Sequence, residues 1–338
     1  MNNGKSFVMT DELIIRLFEE KELGTVVLPI VPVSGGFLHK MFRVDTESGS
    51  YAVKHLNPTI MKRPDAVSNF LHAERYEDIL EKAGVPIVPA IRIDGGKMQI
   101  CGGEYFYIFH WQEGRVSDRH DISAEQCRIA GSIQGRIHSI DSKSIERTEP
   151  EFSAVDWDGY AEEALSKSSD IGSLLKDNAA LLKYAESEMN KARAALPGIE
   201  CIVDEDMDPK NVMWREGEPF VIDLECLERG NPVSSVLQLS LQWAGVTICD
   251  LDLEKLRAFF EGYREAYDNG FDDYASVFGL AYTWIEWLEY NIERALGNCA
   301  DEAEREMGIS QVRQTVEIIR YLSDMEDRIK QCLNSLAS

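Results

Sequence analysis

The stretch CIVDEDMDPKNVMWREGEPFVIDLECLERGNP, residues 201–232, holds Asp206, then Asn211 five residues on, then Asp223 at the end of the apolar run PFVID. The runs NVMW and PFVIDL are β-rich and separated by the turn REGE, so they read as a hairpin. Pro209 stiffens the loop ahead of it. One loop and one strand end then offer a carboxylate, an amide oxygen and a second carboxylate. Transfer of a phosphoryl group needs such a set: a carboxylate that accepts or orients an acceptor hydroxyl, and oxygen donors that hold Mg²⁺ against phosphates. Singly, such residues are ordinary turn and cap residues; the ordered set is what carries the reading.

Upstream, residues 25–108 alternate as short β-rich runs: TVVLPIVPV, KMFRVDT, SYAVKHL, PIVPAIRID, KMQI and EYFYIF. This predicts a mostly antiparallel sheet. One helix interrupts it, DAVSNFLHAERYEDILEKAG, closed by Gly84. Thr10 before Asp11 and Glu12 predicts a capped lead-in helix. FHWQEGR, residues 109–115, breaks the sheet, and helical periodicity dominates afterwards, including the tail TWIEWLEYNIERALG and the long segment beginning DEAEREMG. The expected fold class is α+β and bilobal, with a small antiparallel β lobe over 1–109 and a large, mainly helical lobe over 110–338.

The string DEDMDPKNVMW followed by FVIDLE resembles the catalytic loop and metal strand of the aminoglycoside phosphotransferase family, which also includes choline, homoserine, methylthioribose and macrolide kinases. That family usually reads His-Gly-Asp-Leu-His-Pro-Gly-Asn, then a strand ending Ile-Asp-Phe or Ile-Asp-Trp. The resemblance implies a protein-kinase-like fold, with a catalytic loop over 204–211 and a metal strand over 220–225. It makes Asp206 the catalytic aspartate, and Asn211 and Asp223 the metal ligands. Asp204 and Asp208 stand where the family has histidines. Asp208 and Glu225 are carried as substrate candidates.

PVSGGFLHKMFRVDTESGSYAVKHLNP resembles the family's nucleotide-covering hairpin and next strand, which makes Gly35, Gly36 and Lys54 nucleotide-binding residues. Glu74 is the expected partner carboxylate of Lys54, and Phe109, His110 and Trp111 the expected hinge to the base. His138, ending IAGSIQGRIHSID, reads as structural. Trp284, Trp287 and Tyr290 share one helix with several acids, a pattern that suits a bound ammonium but also an ordinary amphipathic core helix. The resemblance covers residues 25–232.

The implied function is Mg²⁺-dependent transfer of the terminal phosphate of ATP or GTP to a hydroxyl of a small, cationic molecule. The alternative is a retired kinase fold, spore-coat-like, that binds nucleotide without turnover. A protein-kinase reading ranks third, because the DFG and APE motifs are missing. At 338 residues with 44% hydrophobic and 28% charged residues the chain is globular, and its net charge of −24 argues against nucleic-acid and anionic-membrane partners. The N-terminal sequence has no basic flank before an apolar run, and seven scattered cysteines without CxxC spacing read as reduced thiols, so a cytoplasmic location is expected.

Overall fold

The computed structural model describes residues 3–33, 39–146, 150–167, 170–299 and 301–336. The strands are β1 (Val26–Val33), β2 (Lys40–Thr46), β3 (Gly49–His55), β4 (Gln99–Cys101), β5 (Glu104–His110), β6 (Arg115–Val116), β7 (Lys143–Ser144), β8 (Ile199–Asp204), β9 (Val212–Arg215), β10 (Glu218–Val221) and β11 (Leu227–Gly230). The helices are α1 (Asn3–Glu20), α2 (Pro58–Met61), α3 (Ala66–Lys82), α4 (Ala124–Ser139), α5 (Trp157–Ser166), α6 (Asp170–Ala195), α7 (Pro232–Trp243), α8 (Leu253–Ala266), α9 (Trp284–Ala295) and α10 (Glu302–Leu336). Two compact units result. One is Met1–Val116 with Asn211–Leu227, and the other is Ser117–Lys210 with Glu228–Ser338. Where the sequence suggests a single cut after residue 109, the segment 211–227 returns to the first unit, because β9 pairs there with β10 on one side and β6 on the other.

In the first unit a five-stranded antiparallel sheet runs in the order β1-β2-β3-β5-β4. Strand alternation sends Phe42, Val44, Val53, Phe106 and Ile108 to one face, where Ile14, Leu17 and Phe18 of α1 cover them. Fully burying side chains of this size stabilises by about 1.5–3 kcal/mol each. The opposite face meets α3 through Phe70, Ala66 and Tyr107. Lys54 lies directly across from Tyr107 in the β3–β5 register, so its stem points to the α3 side. The α3 helix ends as expected: Gly84 is left-handed at φ 70°, its N–H reaches the Glu81 carbonyl, and the Val85 N–H reaches that of Leu80.

Two expectations for this unit need correction. The lead-in helix begins at Asn3, so Thr10 stands inside it and not at its cap; no proline between them stops the helix. PIVPAIRID, residues 86–94, forms no strand. Pro86 and Pro89 cannot donate to a ladder, and the segment makes only isolated bridges, Ile87 with Val221, Ala90 with Phe109 and Ile93 with Gly96. These bridges have a use: Val88 and Val221 exchange backbone bonds with Val221 and Pro86 at 2.8 Å, which ties the β9–β10 hairpin to the rest of the unit. The hairpin closes through Glu216 and Gly217, both at positive φ, as a two-residue turn between paired strands demands.

The second unit is mainly helical, with β11-β8-β7 as a small sheet. Ser123 and Gln126 form a complete capping box at the start of α4. That helix packs on α8 at backbone distance: a Cβ at Gly131 would stand 1.9 Å from the Phe259 carbonyl oxygen, and one at Gly262 1.9 Å from that of Arg128. The tail TWIEWLEYN is entered through a 3-10 turn over Phe278–Thr283. That turn lays Gly279 against the backbone of α6, where a Cβ would meet the Glu188 carbonyl at 2.1 Å. Among the described residues no helix is long and apolar enough to cross a membrane, and all seven cysteines are free thiols.

His138 is fully buried where α4 meets α8. Its Nδ1 lies 2.9 Å from the Tyr263 hydroxyl, whose oxygen also accepts from Asn269 at 3.2 Å. Nε2 lies 2.7 Å from the Gln134 amide nitrogen, which donates to it, so the neutral ring carries its proton on Nδ1, facing the Tyr263 oxygen. Burial pushes the imidazole down to about 3 from 6.5. The native state thus refuses a proton that the unfolded chain takes up below pH 6.5, and stability falls as pH drops from 6.5 towards 3, by about 1.4 kcal/mol per unit. Urea denaturation at neutral pH and near pH 5 should show His138→Asn lacking an acid-induced loss of about 2 kcal/mol that the wild type carries.

Candidate active site

In the first unit, the open end of the β9–β10 hairpin positions two of the expected groups. Val212 and Val221 are its last pair, and the Ile222 N–H donates to the Asn211 carbonyl at 2.9 Å, so Asn211 and Asp223 leave the hairpin from adjoining strands. Asn211 is buried. Asp223 sits in the left-handed region, φ 63° and ψ 57°, at the head of a 3-10 turn over Leu224–Cys226. Such backbone costs a non-glycine residue about 1–3 kcal/mol, and aspartate is among the few that tolerate it. The turn it starts brings Glu225 round beside it.

Both carboxylates meet Lys54. Its ammonium is 2.5 Å from Asp223 Oδ1 and in contact with Glu225 Oε2. Burial alone would lower the ammonium's pKa; the charges of Asp223 and Glu225 outweigh it and raise it. Glu225 is likewise pushed up by burial, but a hydrogen bond from His39 and the charge of Lys54 hold its carboxyl down at about 2. His39 Nδ1 accepts the Asn57 N–H at 2.9 Å, so Nε2 carries the proton that faces Glu225 Oε1 at 3.2 Å. Glu74, the expected partner of Lys54, is engaged elsewhere: its Oε1 accepts from the Met98 N–H and the Tyr107 hydroxyl, each at 2.9 Å. The lysine does have a buried counter-charge, as its environment requires, but Asp223 and Glu225 supply it.

Of the three hinge candidates, Phe109 pairs with Ala52 and His110 with Tyr51, whose ring it stacks on. Trp111 donates its backbone N–H to the Ser50 carbonyl at 2.9 Å, so that group is committed within the chain. Gly35 and Gly36 lie outside the described residues.

In the second unit, β8 ends at Asp204 and delivers the loop that follows. Asp204 Oδ1 accepts the Asp206 N–H at 3.1 Å, and the Trp243 indole donates to the Met207 carbonyl at 2.9 Å. Asp204 therefore braces the loop through its backbone, although a histidine is the family residue there. Asp208 Oδ1 accepts the Lys210 N–H at 2.9 Å. The Lys210 ammonium reaches Asp206 Oδ1 at 2.6 Å and Asp208 Oδ2 at 3.3 Å. Next to Asp206, Glu205 is pushed up by the protein around it and by the like charges of Glu228 and Glu286, with Arg193 opposing.

On α9, Ile285, Leu288 and Ile292 are buried, while Trp287 and Tyr290 are 39% and 36% exposed and stack at 5.5 Å. Arg294 lies over the Tyr290 ring at 5.5 Å and Trp287 donates to Gln311, so part of this aromatic surface is occupied by the chain's own groups. Trp284 is half-buried. Sequence reasoning missed His39, Lys210 and Trp243. His39 and Lys210 sit inside the two motifs already singled out, and a charge-balance reading of DEDMDPK would have pointed to Lys210.

The family model of the phosphotransferase enzyme family, APH, matches residues 29–277. The chain belongs to this family. The match extends beyond residue 232, into helices that the motif resemblance leaves out. Solved structures agree on the APH kinase-like fold. Spectinomycin phosphotransferase APH(9)-Ia, in complex with ADP and spectinomycin, is similar with a TM-score of 0.67 and 14% identity, over 91% of this chain and 97% of that one. Ethanolamine kinase from Plasmodium vivax has a TM-score of 0.58 and 14% identity, over 87% and 83%. Choline kinase from Cryptosporidium parvum has 0.56 and 13%, over 96% and 99%. No curated protein matches the sequence.

Proposed function

We propose that this APH-family phosphotransferase moves the terminal phosphate of ATP or GTP onto a hydroxyl of a small cationic molecule, an amino alcohol or aminoglycoside-like compound. The observation that carries the reading is the buried Lys54 ammonium between Asp223 and Glu225: residues that the family resemblance assigns to the nucleotide and its metal converge although they are distant in sequence. In this reading Lys54 pairs with the phosphates, Gly35 and Gly36 cover them, and the 109–111 segment faces the base. Asp206 takes the proton of the acceptor hydroxyl.

Asn211 and Asp223 would hold the divalent cation. Their donors, one amide oxygen and one carboxylate, are the hard oxygen ligands Mg²⁺ prefers, to which nucleotide phosphates and water would add further oxygens. When bound, Mg²⁺ neutralises charge on the phosphates; orienting the acceptor and receiving its proton fall to the chain's own residues.

A cationic acceptor is favoured at Glu205, next to Asp206: burial first, and then the like charges of Glu228 and Glu286, raise its carboxyl, and an ammonium would relieve the like-charge part. Ethanolamine and choline, for which two of the similar structures are named, are cationic alcohols. The free thiols support a reducing compartment, the cytoplasm. The test is nucleoside-diphosphate release with Mg²⁺ and ATP or GTP across aminoglycosides, choline, ethanolamine, homoserine and neutral polyols. Stimulation by an amine-bearing class is expected; stimulation by polyols alone would overturn the cationic preference, and nucleotide binding without stimulation by any of them would favour a retired kinase.

A further inference from the structure

We propose that Asp208 and Lys210 form a positioning pair that aims the carboxylate of Asp206 and keeps a positive charge beside it during phosphoryl transfer. The inference rests on the phosphotransferase reading above. Asp208 is buried, and it holds Lys210 at both ends: Oδ1 accepts the backbone N–H at 2.9 Å and Oδ2 faces the ammonium at 3.3 Å. A lysine side chain has four rotatable carbons and a large rotamer entropy to lose. Clamped at its root and its tip, it instead presents its ammonium at one place, 2.6 Å from Asp206 Oδ1. Pro209 between the two residues fixes the backbone that makes this return possible.

The arrangement changes the expected role of Asp208. Both of its oxygens face Lys210, so it is an anchor for a lysine and not a contact to the acceptor molecule. The family pattern has histidine at the Asp208 position and glycine at the Lys210 position; in this chain both are replaced, and the replacements engage each other. In the reaction, the acceptor hydroxyl gives its proton to Asp206 as its oxygen bonds to phosphorus. The bond from phosphorus to the bridging oxygen breaks, and its electron pair leaves on the nucleoside diphosphate. Asp206 must point at the hydroxyl for this to occur, and misplacement by about 1 Å costs on the order of 10²-fold in rate. The ammonium fixes that orientation, and its charge favours the anionic phosphoryl group nearby.

Steady-state kinetics of Lys210→Met, Lys210→Arg and Asp208→Asn test the pair in the full-length protein. Lys210→Met is expected to lower kcat by about 10²-fold with the nucleotide KM changed less than about 3-fold, and Lys210→Arg to recover about 10-fold of that loss. A merely structural lysine would leave kcat within about 3-fold of wild type in every folded variant, and that result would overturn the proposal. A wild-type protein that turns over no acceptor would instead overturn the phosphotransferase reading. The clamp has a readout independent of turnover: acetylation of Lys210, followed by mass spectrometry, should be slow in the wild type and roughly 10-fold faster in Asp208→Asn. An unchanged labelling rate would contradict the clamp.

Discussion

Asp206→Asn lowers acceptor-dependent turnover by about 10²–10⁴-fold, the range that a positioned proton acceptor contributes, while the affinity for nucleotide stays near that of the wild type. The substitution keeps the size and the hydrogen-bonding shape of the side chain but removes its ability to take a proton. The loop should survive, because its braces are elsewhere: Asp204 on the Asp206 N–H, Trp243 on the Met207 carbonyl, and Asp208 on the Lys210 N–H. The Lys210 ammonium keeps its contact with Asp208. The effect therefore belongs in kcat. A variant that lost nucleotide affinity in parallel would place Asp206 in binding and not in chemistry.

Asp223→Asn weakens binding of the Mg²⁺-nucleotide by at least about 10²-fold, since even outer-shell changes at metal sites cost 10–100-fold. Binding of nucleotide in the presence of a chelator is expected to change far less. Asparagine tolerates the left-handed backbone of this position about as well as aspartate, so the change tests charge rather than strain. Lys54 keeps Glu225, which His39 holds in place, and its buried ammonium is not left without a counter-charge. Titration of a fluorescent nucleotide with and without Mg²⁺ reads both affinities. Equal losses in the two conditions would assign Asp223 to the lysine alone, and no loss in either would remove it from the site.

Much of this fold is legible in the sequence because its elements are locally consistent. The strands 40–46, 49–55 and 104–110 alternate cleanly with one face under α1, and the α3 helix carries its own stop at Gly84. Where local signals misled, a long-range or backbone cause is identifiable. PIVPAIRID has the composition of a strand, but its two prolines leave it making only isolated bridges, to Val221, Phe109 and Gly96. The close approach of α4 and α8 at Gly131 and Gly262 is likewise a long-range matter: the carbonyls that require glycine there belong to the partner helix.

The site divides the same way. Asp206, Asn211 and Asp223 are recognisable by order and spacing, since one loop and one hairpin carry them. The partner of Lys54 is not, because the pairing with Asp223 and Glu225 spans most of the first unit and an alternative acid, Glu74, stands at a plausible helix position but bonds to Met98 and Tyr107. His39 needs the same tertiary view: its role follows from Asn57 on one ring nitrogen and Glu225 on the other.

The most direct test of the central claim is transfer of a labelled terminal phosphate from ATP or GTP to an amine-bearing alcohol, with the wild type and Asp206→Asn run side by side. Label is expected in the acceptor with the wild type and nearly none with the variant. Label that stays in nucleotide and inorganic phosphate with every acceptor, or that reaches the acceptor equally well with Asp206→Asn, would contradict that claim.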